Sequence, residues 1–429
     1  MSRFSRREVL LAGGALAAGV AGGYGFGTQL ETGRTGDANV ADPEPFGWDD
    51  RDWPFPDYDP ARTRHPPADS VPDTELDVAW RMDNPVDGGG RAPPVAADAR
   101  LLLALEGPSD VHVPCVDLGR GTQAWITEIR GGGGGNPERY HPDLAAVGGG
   151  VYYSVPTADR EPFGLLSGAT GEPVWRLPEV PSGPWLIGGG RVFTGDDDAV
   201  RGYDARTGDE RWSRVVDVEG FSVGAFHPSY GLFAHSTVAK RLYRIDPADG
   251  SLVWNVSLGN HPTSPPIVTD DRMFIVLGGE DGRLEARDPT NGTRLWRYPD
   301  ATKEGASTGD DPGPLHEPVA ATSDTVLVRS VRANPVPDEL HAIDATTGER
   351  RWGIETPDGT ATFSRGAVAG DQVFIGAGGE EFDFRVLRLD LADGAPIESV
   401  SGIGIGWGEV IVTDGTLVVH GQRETVALR

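Results

Sequence analysis

Beyond its first thirty residues the chain carries no stretch with the 3.6-residue apolar period of a helix; it alternates short apolar runs with reversals rich in Gly, Asp or Ser. Val95-Ala96-Ala97, a turn at Asp98, and Leu101-Leu102-Leu103 make one such hairpin, and Ile411-Val412-Thr413, Asp414-Gly415 and Leu417-Val418-Val419 make another. The reversals fall near Asp98, Gly149, Gly189, Ser229, Asp270, Ser323, Gly370 and Asp414, which makes eight. The 61 glycines and 35 prolines suit short strands and many turns, because both residues interrupt helices. The pattern predicts an all-β protein built of repeats.

A second marker follows each of the first seven reversals and keeps phase with it. An apolar residue and Asp open a turn, Gly closes it, and Trp stands four residues later. Tyr203-Asp204 through Gly208 to Trp212 and Ile343-Asp344 through Gly348 to Trp352 are clear copies. The others end at Trp125, Trp254 and Trp296, with Ser167 replacing Asp in the copy that ends at Trp175 and Glu398 standing in the Trp slot after Gly394. The chemistry is local: Asp caps the turn, Gly supplies the positive φ, and Trp gives a flat wedge between adjacent sheets. The last hairpin, at Asp414, is followed by only one more strand, Glu424 to Arg429, whereas Leu76 to Trp80 is a Trp strand with no hairpin before it. Each end supplies what the other lacks. The expectation is an eight-bladed β-propeller of four-stranded antiparallel blades, roughly 44 residues per blade, closed by the Trp80 strand. A seven-bladed ring would discard one hairpin marker.

The D-x-x-T-G-x-x-x-W unit resembles the pyrroloquinoline-quinone (PQQ) repeat, shared by quinoprotein alcohol dehydrogenases and an outer-membrane assembly lipoprotein. Trp53-Pro54 through Asp59-Pro60-Ala61 to Thr63 is similar to the entry segment of such proteins, so the likeness spans Trp53 to Arg429. It implies that Trp80, Trp125, Trp175, Trp212, Trp254, Trp296 and Trp352 dock blade to blade, and it leaves the boundary at Glu398 in question. It also implies that an enzyme of this kind would hold PQQ in the central channel, with Ca²⁺, an adjacent-cysteine disulfide and a catalytic Asp. Cys115 is the only cysteine, and no motif assigns calcium ligands. The expectation is therefore no cofactor, with PQQ and Ca²⁺ kept as the alternative.

Charge narrows the partners. The formal net charge is −27, with 65 acidic residues, and the only lysines are Lys240 and Lys303. Such a surface repels nucleic-acid phosphates and anionic lipid, and it suits concentrated salt, which screens self-repulsion; a haloarchaeal source is expected. Arg6-Arg7 before an apolar stretch reads as a twin-arginine export signal over residues 1–27. Residues 28–74 form a Pro/Asp-rich linker holding the aromatic entry segment, expected to dock onto the chain's own propeller, and residues 75–429 form the ring. The protein is expected outside the cytoplasm, either free or tethered by an uncleaved signal.

Other motifs add little. Asp196-Asp197-Asp198 reads as a solvated acidic loop, Gly131 to Gly135 as a loop without the Lys-Ser/Thr of a phosphate site, and His316-Glu317 lacks a second metal-spaced His. The expected function is a monomeric, non-catalytic binding or assembly scaffold for a protein, peptide or polymer, with the loop from Thr302 to Pro318 as a contact surface. The alternative is a PQQ-dependent oxidoreductase, or another enzyme, using the channel. No catalytic, cofactor-binding or metal residue is singled out.

Overall fold

A computed structural model describes residues 48–72, 75–86, 92–107, 110–130, 143–155, 161–180, 184–279, 282–299, 315–331, 337–357, 362–379, 382–403, 405 and 408–429. Eight antiparallel sheets, each built on four strand positions, form a closed β-propeller; among the described residues the only helix is the 3₁₀ turn Ala68–Ser70. From inner to outer strand, blade 1 runs from Val95–Ala97 to Gln123–Arg130, blade 2 from Asp143–Val147 to Pro173–Val180 and blade 3 from Trp185–Gly188 to Glu210–Val215. Blade 4 runs from Phe221–His227 to Leu252–Ser257, blade 5 from Ile267–Val268 to Arg294–Tyr298 and blade 6 from Leu315–Ala321 to Arg350–Glu355. Blade 7 runs from a split inner strand, Thr362–Phe363 and Ala367–Ala369, to Pro396–Val400. Blade 8 takes Gly408–Thr413, Thr416–Gly421 and Glu424–Leu428 from the C-terminus and Val78–Asp83 from the N-terminal side. Trp80 pairs with Ala427 in that seam, and Asp77 and Arg429 exchange both backbone hydrogen bonds at 2.9 Å. The closure leaves no free edge between first and last blades.

The hairpin markers are the turns between first and second strands. Asp98 (φ 53°), Ala99 (φ 57°) and Asp414 (φ 41°) take the left-handed conformation that such tight reversals need. The Asp-x-x-x-Gly units are the turns between third and fourth strands. In blade 6 the Asp344 carboxylate accepts the Thr346 and Thr347 amides at 2.9 and 2.8 Å, and the Gly348 amide donates to the Asp344 carbonyl.

Each of the seven tryptophans lies under the turn of the following blade. A Cβ on Gly121, Gly348 or Gly394 would meet the ring of Trp80, Trp296 or Trp352 at 2.6, 2.7 and 2.8 Å, so those turns stay glycine for lack of room as well as for φ. Trp80, Trp125, Trp212, Trp296 and Trp352 also donate their indole N–H to a carbonyl of that turn, at 2.8 to 3.1 Å. Trp175 and Trp254 keep the glycine contact, through Gly208 and Gly292, while their indole N–H groups find no partner among the described residues. In Trp175's case the Ala205 carbonyl of the facing turn accepts the Tyr152 hydroxyl instead, at 3.0 Å.

Candidate functional site: a plugged central channel

A propeller's innermost strands leave their inner edges facing the axis, and every backbone group there needs a partner. Residues 51–70 meet that need by making one circuit inside the ring. The Arg51 carbonyl accepts from Asp414 of blade 8, Trp53 exchanges two hydrogen bonds with Ala96 of blade 1, and Pro54 accepts from Ala146 of blade 2. Pro60, Ala61, Thr63 and Arg64 then accept from Phe226, Val268, Ala321 and Val368, the inner strands of blades 4 to 7 in order. Ser70 returns to blade 8 by accepting from Gly415. Proline suits these positions because the segment mainly accepts.

Between blades 2 and 4 the segment leaves the wall. Phe55 to Tyr58 turn back on themselves, closed by the Tyr58 amide on the Phe55 carbonyl at 3.0 Å, and carry Asp57 into the middle of the ring. Asp57 meets Arg64 at 2.9 Å, Arg62 at 2.5 Å and Arg365 of blade 7 at 3.5 Å. Burial would raise this carboxyl, but the guanidiniums of Arg62, Arg365 and Arg64 outweigh it and hold it well below the usual carboxylate range. Arg64 is itself buried: it donates to the carbonyls of Pro56, Gly366 and Val410 and lies 5.1 Å over the Trp53 ring. Arg365 continues towards Glu317, which Arg329 holds at 2.7 Å. Glu409 of blade 8 also faces this cluster; burial raises its carboxyl, and its Oε2 has no partner among the described residues.

The plug divides the channel. Towards the strand starts lies a chamber of about 450 Å³ lined by Asp57, Arg62, Trp185, Arg365 and Glu409. On the hairpin face lies a cavity of about 890 Å³, floored by the entry segment and walled by Trp48, Phe55, Ile187, Phe226 and Asp270.

Blade 3 borders both spaces and receives no backbone hydrogen bond from the segment among the described residues. Gly188 pairs with Arg191 across the two-residue turn Gly189-Gly190, so Ile187, opposite Val192, occupies the non-hydrogen-bonded position of the ladder. Its amide and carbonyl therefore point to the axis, as those of Ala96, Ala146 and Val368 do in the same register, where the segment accepts from all three amides. At Ile187 no described residue of the segment does so.

The cavity wall holds one His–Asp contact, His227 Nε2 to Asp270 at 3.3 Å. His227 Nδ1 accepts the Ser229 amide at 3.2 Å, and burial lowers its pKa. Both nitrogens are thus engaged, and the ring has no free lone pair with which to activate a nucleophile.

The remaining sequence features fall as follows. Cys115 is buried in blade 1, and burial raises its thiol to about 11. Asp196 accepts the Asp198 and Ala199 amides and pairs with Arg201, and Asp197 accepts the Phe221 amide, so the acidic run caps its own loop. His316 to Pro318, read as the end of a long loop, already belong to the inner strand of blade 6. Arg6, Arg7, Gly131 to Gly135 and residues 302–314 lie outside the described residues. Sequence reasoning missed Arg64, Arg365 and Glu409. The signal was present for two of them, a charge at the start of an otherwise apolar inner strand in Ser364-Arg365-Gly366-Ala367-Val368 and Gly408-Glu409-Val410-Ile411.

Known proteins share the propeller fold. A family model described as outer membrane protein assembly factor BamB matches residues 109–225 and 220–428. A quinohemoprotein alcohol dehydrogenase from Pseudomonas putida superposes with a TM-score of 0.63 at 13% identity, over 89% of this chain and 80% of that one. A europium-containing methanol dehydrogenase gives 0.61 at 13%, over 89% and 98%. BamB from Moraxella catarrhalis gives 0.54 at 18%, over 83% and 98%. At these identities the superpositions speak for the fold. A search of curated proteins found no matching sequence.

Proposed function

The chain belongs to the PQQ-repeat family whose model is described as outer membrane protein assembly factor BamB, and from that premise we propose that it is an exported, non-catalytic scaffold that takes an extended polypeptide segment over blade 3. The observation that carries this reading is the axis-facing backbone of Ile187, unmatched among the described residues beside the 890 Å³ cavity while the segment serves the other seven blades. An extended peptide entering there would add the missing strand: its backbone would pair with Ile187, and its side chains would rest against Trp48, Phe55 and Phe226. The entry segment shows on the same ring that such pairing suits the geometry. Paired Arg6 and Arg7 support a location outside the cytoplasm, and the acidic surface favours a partner segment that is not itself strongly acidic.

The axis does not suit a calcium-assisted quinone. Calcium takes six to eight oxygen ligands, whereas Asp57 and Glu317 are committed to arginines and Arg62, Arg64 and Arg365 bring positive charge to the same place. The plug also occupies the middle of the ring. These features support binding over oxidoreduction, and the fold alone supports neither.

The test is a peptide selection on the purified full-length chain, followed by amide hydrogen exchange. Selected peptides should slow exchange at Ile187, and Ser323→Trp, which puts a large ring at an exposed position of the cavity lining, should weaken their binding. Peptides that bind Ser323→Trp as well as the native chain, or that protect another face, would refute the assignment.

A further inference from the structure

A second feature lies on the outer half of blade 1, away from the axis. Its third strand is Asp110–Asp117 and its fourth is Gln123–Arg130. Asp110 and His112 stand two residues apart on one strand and so project from the same face, and Glu128 is directly opposite His112 in the register. The pairing gathers one ligand atom from each of the three side chains within 4.8 Å of one another.

The contacts inside this cluster are not those of a settled hydrogen-bond network. Asp110 Oδ1 and His112 Nδ1 are 3.5 Å apart, too far for a good hydrogen bond. Both atoms are buried, and neither has another hydrogen-bond partner among the described residues. Buried polar atoms are rarely left so. Tetrahedral zinc, with bonds of about 2.0 to 2.1 Å, places neighbouring ligand atoms about 3.4 Å apart. The observed separation fits that edge. Glu128 gives Oε1 to the Arg130 Nε at 3.0 Å, an outer contact that leaves its second oxygen to turn towards the other two groups. Gly107 packs closely against one edge of the cluster. The Gly107 amide donates to the Asp110 carbonyl at 2.8 Å, and any Cβ at residue 107 would collide with Asp110 Oδ1.

We propose that Asp110, His112 and Glu128 form a Zn²⁺ site on the outer strands of blade 1, with water completing the coordination sphere. One imidazole and two carboxylates make a borderline donor set that suits Zn²⁺ over the softer copper(I) and over the all-oxygen preference of Mg²⁺ and Ca²⁺. The metal would tie the third strand to the fourth and satisfy both orphaned atoms.

Cobalt(II) is the probe, because its visible absorption reports coordination and ignores loose binding to the acidic surface. Full-length protein in molar NaCl should take up one equivalent with a d–d band, and Zn²⁺ should displace it. His112→Ala and Glu128→Gln should each weaken binding about tenfold or more, and Zn²⁺ should raise the melting temperature of the native chain but not of these variants. Asp196→Asn, in the self-capped acidic loop, should bind as the native chain does. Glu128 is solvent-exposed, so Glu128→Gln keeps the test decisive should His112→Ala fail to fold. No saturable band, or binding undiminished in Glu128→Gln or in folded His112→Ala, would overturn the assignment.

Discussion

The Oε1 atom of Glu398 accepts a hydrogen bond from the backbone amide of Leu76 at 2.7 Å. Glu398 stands in blade 7 where the other seven blades carry Trp, and the relationship explains the exception. Each Trp packs under the glycine-closed turn between the third and fourth strands of the next blade. Blade 8 has no such turn, because its third and fourth strands are the two ends of the ring. A Trp at 398 would have no glycine turn to lie under. A carboxylate instead reaches the incoming chain at Leu76, while Arg388 stands 3.6 Å from its other oxygen.

Restoring the repeat should therefore weaken the protein. Glu398→Trp is expected to lower unfolding stability by about 1–3 kcal/mol, the cost of an unmet buried amide. Trp352→Ala should cost about 3–5 kcal/mol. Guanidinium unfolding measures both; a stabilised Glu398→Trp would contradict this account of the seam.

The ring was legible in the sequence because its two markers are local. A hairpin turn and an Asp-to-Trp unit are each set by residues within a few positions of one another. The plug was not legible in the same way. Trp53 and Pro54 advertised a docking segment, but its course around seven blades depends on unpaired inner edges, which no local pattern reveals. Arg64 shows this best: it bonds to Gly366 and Val410, some three hundred residues away. The Asp110–His112–Glu128 cluster was missed because Glu128 joins it across a strand pair and the donor spacing matches no contiguous motif.

The Arg64–Asp57 contact should behave as a buried ion pair. Arg64→Leu leaves Asp57 with fewer cations and should cost about 3–5 kcal/mol. The double variant with Asp57→Asn should lose less than the sum of the two single changes, by about 1 kcal/mol or more. Strict additivity in a double-mutant cycle would argue against direct coupling.

The entry segment should also respond to pH. Burial raises the Asp59 and Asp52 carboxyls to about 6, from 3.8 for an ordinary aspartate, with Thr63 hydrogen bonds partly offsetting the effect at Asp59. A carboxyl raised in the fold opposes folding while ionised. Its penalty is complete above pH 6 and lifts as pH falls from 6 towards 4, by at most about 3 kcal/mol for each group. Asp59→Asn should flatten the stability–pH curve in that window, and an unchanged curve would count against the burial argument.

The acidic surface predicts a dependence on salt. With a net charge of −27, self-repulsion is strong in dilute buffer and screened at molar NaCl, where the Debye length is about 3 Å. The melting temperature should rise steadily between millimolar and molar NaCl, and circular dichroism should show loosening at the low end. Identical melting curves across that range would exclude this adaptation.

The ring's axis is plugged by its own chain, and the role proposed for it is binding, not quinone chemistry. The most direct measurement is a titration of the purified full-length protein with PQQ and Ca²⁺, followed by dye-linked alcohol oxidation. The account predicts no saturable PQQ binding and no dye reduction above that of the free cofactor. Saturable binding accompanied by substrate-dependent dye reduction would contradict it.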